Sequence, residues 1–117
     1  MSQTLDIVHD HILICRLLSL YGNQLSAKLR QYMNLYFDED MSITEIAEYF
    51  SVSRQAVHNS LSKGCEQLRR MEADLKLLYM HNHLQATVSE VENLLSQGEV
   101  DDSLQLLRDL VYEYEIN

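Results

Sequence analysis

The chain of 117 residues has no proline and only three glycines, Gly22, Gly64 and Gly98. Helix breakers are therefore scarce, and no stretch alternates apolar and polar residues over a useful length, so a β architecture is excluded. Only two cysteines occur. Cys15 and Cys65 have no CxxC partner and lie on apolar helical faces, which makes them buried thiols rather than a disulfide or a metal site. No run approaches the ~20 apolar residues of a membrane span, and the start lacks a basic segment followed by an apolar one. A soluble, cytoplasmic protein without a membrane partner is expected. A glycine-rich phosphate loop, an HExxH pair and a nucleophile elbow are all missing, so the sequence offers no catalytic residue, no cofactor and no metal ligand set, and a non-enzyme is expected. Basic residues are few as well. Nine stand against 18 acids, and a net charge of −9 argues against a general nucleic-acid coat protein.

The charge is unevenly spread. From Ser51 to Arg70 four cations face one acid, a balance of +3, whereas from His81 onward Arg108 faces eight acids, a balance of −7. A local basic face with an acidic tail is compatible with DNA binding.

What the chain does have is helical punctuation, densest from Ser42 to Leu61, SITEIAEYFSVSRQAVHNSL. Ser42 with Glu45 three residues on is a capping box. Ile46, Ala47 and Phe50 follow as an apolar face, the pattern breaks at Ser51-Val52, and Ser53 can cap a second helix through Arg54, Gln55, Ala56 and Val57. Two short helices joined by about three residues form a helix-turn-helix, whose second helix can enter a major groove. Ala47 must be small where the second helix crosses it. Ile46, Phe50, Val52 and Val57 are expected to fill the wedge between the two.

Elsewhere the spacing predicts more helices. Leu5, Val8, Ile12, Cys15, Leu18 and Tyr21 form a stripe that serves either core packing or a dimer seam. His9 and His11, two apart, point in different directions on a helix and are no metal pair. Ser26 caps a helix with the face Leu29, Tyr32, Met33, Tyr36 and Phe37, and Asp38-Glu39-Asp40 is a solvated turn without the ligand alternation of a calcium loop. Leu61, Cys65, Leu68, Leu75 and Tyr79 keep a seven-residue rhythm that Glu72 interrupts, so the second helix of the motif either runs on or restarts after Gly64. The phase shifts at His81-Asn82-His83, read as a surface kink. Leu84, Val88, Val91 and Leu95 then lead to Gly98, and a last helix after Asp101 or Asp102 carries Leu104, Leu107, Leu110, Val111 and Tyr114. The expected architecture is all-α: a helical domain over 1–80 containing the helix-turn-helix at about 42–61, and an acidic helical extension over 81–117.

EIAEYFSVSRQAV, with LRQYMNLYFDED just upstream, resembles the YlxM family of helix-turn-helix proteins, found in bacteria beside signal recognition particle genes. More distantly, the LxxxY..YF, EIAE and SR..V pattern is similar to region four of bacterial sigma factors. The likeness covers roughly Leu25 to Arg70 and, more weakly, Leu5 to Tyr21. It implies a DNA-binding regulator, and the gene neighbourhood implies the alternative of an adaptor for signal recognition particle protein or RNA, with the acidic hairpin as its docking surface. Where family members usually have glycine at the turn, this chain has Ser51, which is then expected to accept a left-handed or strained conformation. The family's aromatic after SRQAV is here His58.

On the groove-reading model, Arg54 and Gln55 occupy the first turn, where arginine can pair with guanine and glutamine with adenine. His58 and Asn59 lie one turn on, and Ser62 and Lys63 another. Ser53 and Lys63 suit phosphates, which position without specifying. The contrary possibility is that these residues merely form the solvated face of an architectural helix. A single motif binds weakly, so a homodimer presenting two such helices is expected, through the Leu5–Leu18 or Leu61–Tyr79 faces.

Overall fold

A computed structural model describes residues 10–115, and among them there are six α-helices and no strand. They run as α1 (His11–Tyr21), α2 (Ala27–Met33), α3 (Ile43–Phe50), α4 (Arg54–Leu75), α5 (Leu77–Ser96) and α6 (Val100–Glu113). The all-α expectation holds. The chain divides into two compact units, 1–78 and 79–117.

In the first unit α4 is the central element, packed on by α1, α2 and α3. The predicted caps are in place. Ser26 Oγ accepts from the Leu29 amide at 3.2 Å at the start of α2. Ser42 Oγ accepts from the Glu45 amide at 3.0 Å while Glu45 Oε1 accepts from the Ser42 amide at 3.1 Å, completing the capping box. Each such cap is worth about 1 kcal/mol of helix stability. After α2 the chain makes a π-helical turn over Asn34–Asp38, closed by the Glu39 amide on the Asn34 carbonyl. The wider turn brings Phe37 into the core beside Leu29, Tyr32 and Met33, and leaves Tyr36 half-buried.

The phase of α1 differs from the expected stripe. Its buried face is Ile14, Leu17, Leu18 and Tyr21, while Ile12 is 77% exposed and Cys15 half-buried. Leu5, Val8 and His9 lie outside the described residues. HILICRLLSLY is apolar on nearly every side, so spacing alone leaves two phases open, and α4 selects one. Val52, expected in the wedge, stays 38% exposed; Ile46, Ala47 and Val57 are buried there, and Phe50 is half-buried with its ring 5.0 Å from that of Tyr32.

Helix α4 runs through Gly64 without a break. A Cβ at Gly64 would lie 2.6 Å from Met33 Sδ and 2.8 Å from its Cγ, so this glycine is the notch in which α2 crosses α4. Leu61, Cys65 and Leu68 are buried in the same core and are not available as a dimer seam, whereas Leu75 and Tyr79 are exposed. Glu72 is not an interruption. Its Oε1 accepts from Tyr21 Oη at 2.7 Å and from the Leu78 amide at 2.9 Å, and Tyr21 Oη accepts from the Leu77 amide at 3.0 Å. Two of the orphan amides that open α5 are thereby satisfied. The break between helices falls at Lys76, in the left-handed conformation, and α5 passes straight through His81–His83, where a kink was expected.

Burial pushes the Cys65 thiol from its ordinary 9.0 up to about 11, against a smaller opposing effect of Arg69. The fold therefore favours the protonated thiol. This contribution is complete below the unfolded thiol's pKa and is lost as pH rises through about 11. Two results are expected: native Cys65 resists alkylation at pH 8, and the urea midpoint of the protein falls between pH 9 and 11 more steeply than that of Cys65→Ala.

The second unit consists of the rest of α5 and α6, joined at Gly98 (φ 77°), with the Glu99 amide donating to the Leu94 carbonyl at 2.9 Å. His83 Nε2 sits 3.0 Å from Glu113 Oε2, stacks on Tyr79 and meets Tyr114 edge-on, which fixes α5 and α6 as an antiparallel pair. Among its described residues only Ser103 is buried, donating its hydroxyl to the Glu99 carbonyl at 2.9 Å.

Candidate nucleic-acid interface

The helix-turn-helix is built from α3, the turn and α4. Ile46 (0% exposed) and Ala47 pack against α4, and the small Ala47 lets the helices cross closely. Ser51 ends α3 at φ 54°, ψ 46°, in the left-handed region that favours glycine. The Val52 amide reaches back to the Ala47 carbonyl at 3.0 Å, the long bond of a Schellman motif. A serine held there carries a steric cost of about 1 kcal/mol. Ser51→Gly is therefore expected to raise stability by about 1 kcal/mol, read as a higher urea midpoint with unchanged slope.

Val57, Leu61, Cys65 and Leu68 fix the inward face of α4. At about 100° per residue the opposite face carries Gln55, Asn59, Lys63, Glu66 and Arg70. Gln55, Asn59 and Lys63 are exposed in one line, and Gln55 Nε2 donates to Asn59 Oδ1 at 2.9 Å. This bond holds the glutamine amide in one orientation, with its carbonyl oxygen and second N–H still available. Arg54, on the first turn, is exposed. Neither it nor Lys63 makes an ion pair among the described residues. Ser53 Oγ accepts from the Ala56 amide at 3.0 Å as the cap of α4, which leaves its O–H free to donate outward.

His58 and Ser62 stand apart from this line. Four residues apart and half-buried, they flank the core face, and the Ser62 hydroxyl is enclosed without a hydrogen-bond partner among the described residues. The local excess of positive charge is also smaller than the residue count implies. Arg69 is ion-paired with Asp10, and Arg70 Nη2 lies 2.7 Å from Glu66 Oε1. The second pair was legible as an i, i+4 spacing. The first, spanning 59 residues of sequence, was not. The sequence reading also passed over Tyr49, a 70%-exposed phenol on α3 whose ring packs edge-on against Phe50. Among the described residues no group of three or more metal-ligating side chains occurs, and no helix is long and apolar enough to cross a membrane.

Comparison with known proteins agrees with this geometry. The family described as "Putative helix-turn-helix protein, YlxM / p13 like" matches residues 8–107. A UPF0122 protein of Bacillus mycoides (strain KBAB4) is 40% identical over 83 residues, 71% of this chain and 76% of the relative. UPF0122 proteins of Bacillus cereus (strain AH187) and Bacillus anthracis (strain A0248) are 39% identical over the same shares. Through a match that covers α1 to α5, the first part of α6 and the whole helix-turn-helix, this chain belongs to the YlxM/p13-like family of helix-turn-helix proteins.

Proposed function

We propose that the protein is a DNA-binding regulator that lays the first three turns of α4 in a major groove and acts as a homodimer. The observation that carries this reading is the line of Gln55, Asn59 and Lys63 on the solvent face of α4, beside the exposed Arg54 of its first turn. Arg54 and Gln55 read base edges, Asn59 fixes the glutamine, and Ser53 and Lys63 hold phosphates. His58 lies at the margin of the contact, and Ser62, with its enclosed hydroxyl, contributes packing rather than a phosphate bond. With Arg69 and Arg70 engaged elsewhere, one copy supplies few phosphate contacts, so affinity depends on two copies reading two half-sites.

The test is a selection of bound fragments from a genomic library with purified protein near 150 mM salt, repeated at lower salt. The expected result is a palindromic motif whose affinity falls with salt by roughly one power per phosphate contact. A selection that enriches nothing over background at either salt would overturn the DNA reading and direct attention to protein or RNA partners of the acidic C-terminal segment, including those of the signal recognition particle.

A further inference from the structure

The second unit has no buried apolar side chain among its described residues, yet it carries a regular apolar surface. Leu84, Val88 and Leu95 line one side of α5, and Leu104, Leu107 and Val111 one side of α6, each 38–70% exposed. On both helices the line is turned by about a quarter turn, in the same sense along the chain, from the side that joins the pair, marked by His83 on α5 and Tyr114 on α6. In an antiparallel pair that geometry puts both lines on one face, along the groove between the helices. The six side chains present on the order of 500 Å² of apolar surface, at the upper end of what a monomer leaves in water.

The rim of this face is acidic. On the outer edge of α6, Asp101, Arg108 and Glu115 follow one another at seven-residue intervals, two carboxylates to one guanidinium. Glu115 lines the same recess as Leu104, Leu107 and Val111. The outer edge of α5 carries Glu92 and no lysine or arginine. Three carboxylates thus stand against one arginine around a floor of leucine and valine. A second copy would set one acidic rim against another, and like charges facing each other oppose the contact. Its apolar area also falls short of the ~800 Å² per partner of a standard stable interface. Anionic lipid is repelled by the same carboxylates. The groove instead suits one helix, apolar along its inner stripe and cationic along both flanks.

We infer that this face docks an amphipathic helix of a basic partner protein, whose lysines or arginines meet Glu92, Asp101 and Glu115. The contact rests on the hairpin alone and is tested without DNA, so it stands or falls separately from groove reading by α4. The probe is a fluorescein-labelled peptide of about 14 residues, ~21 Å long when helical, with leucines at helical i, i+3, i+4 and i+7 spacing and lysines elsewhere. Fluorescence anisotropy with the full chain near 150 mM salt is expected to show binding that weakens about tenfold when the same residues are scrambled. Val88→Lys with Leu107→Lys puts cations into the groove and is expected to weaken binding by about a hundredfold, with helicity unchanged by circular dichroism. Should that variant lose helicity, Val111→Lys, at the most exposed position of the floor, decides in the same measurement. Glu92→Gln with Glu115→Gln is expected to weaken binding about tenfold and to reduce its salt dependence. Glu90→Gln with Asp109→Asn makes the same change of charge on the other side of the hairpin and should leave binding as it was. A wild type that does not bind the patterned peptide overturns the inference, as does a folded groove variant that binds fully. So does a Glu90/Asp109 variant as damaged as the rim variant, because general acidity would then explain the binding. A wild-type dimer in sedimentation equilibrium that Val88→Lys with Leu107→Lys disperses overturns it too, by giving the face to a second copy.

Discussion

Replacing Gly64 by valine is expected to lower the stability of the helical domain by about 3 kcal/mol, and even Gly64→Ala should destabilise it. The alanine result is the informative one, because in an open helix that change gains about 1 kcal/mol from propensity. Here the added Cβ would meet Met33 Sδ at 2.6 Å and Cγ at 2.8 Å, and Met33 is completely enclosed, so its side chain cannot swing into solvent to make room. Overpacking of this kind outweighs the propensity gain. The clash also predicts rescue. Met33→Ala alone leaves a cavity and costs about 2–5 kcal/mol, but combined with Gly64→Val it should cost clearly less than the two separate losses added together. Urea midpoints for the four proteins of this cycle check the argument. A stabilised Gly64→Ala would mean that α2 and α4 do not approach this closely.

The second large effect concerns binding. Arg54→Ala with Gln55→Ala is expected to fold with an unchanged urea midpoint, because both side chains are exposed and neither supports the core. Its affinity for any selected DNA should fall by about a hundredfold, since each bidentate base contact discriminates by ~1–3 kcal/mol. Lys63→Ala should instead weaken all DNA sequences alike and reduce the salt dependence by about one power. If the double variant bound fully, the groove-reading role of α4 would be wrong even with DNA binding intact. If Lys63→Ala changed sequence preference, its assignment to a phosphate would need to be exchanged with a base-reading role.

The positions at which reading the sequence succeeded share a property. Ser26, Ser42 with Glu45, and Ser53 each act on an amide three residues away, and the turn at Gly98 is closed by the Gly98 amide on the Leu95 carbonyl and the Glu99 amide on that of Leu94. Chemistry that is finished within one helical turn is written in the chain itself. The left-handed Ser51 was legible only through the family resemblance, in which glycine usually holds that turn position. The exposed positions of Arg54, Gln55, Asn59 and Lys63 follow from the start of α4 and its period.

Other positions depended on what packs against them. The chain's own spacing determined an all-α protein with capped helices, a helix-turn-helix at the expected place, and the polar face of the motif's second helix. Tertiary structure decided which of two apolar faces α1 buries, since both satisfy the period and only contact with α4 separates them. It turned Gly64 from a possible breaker into a notch for Met33, and Glu72 from a flaw in the rhythm into the acceptor for Tyr21 and Leu78. It removed Arg69 from the basic face through Asp10, a residue 59 positions away in the chain. In each case the partner lies outside the residue's own helix, and periodicity, which describes one helix at a time, carries no information about the neighbour that will meet it.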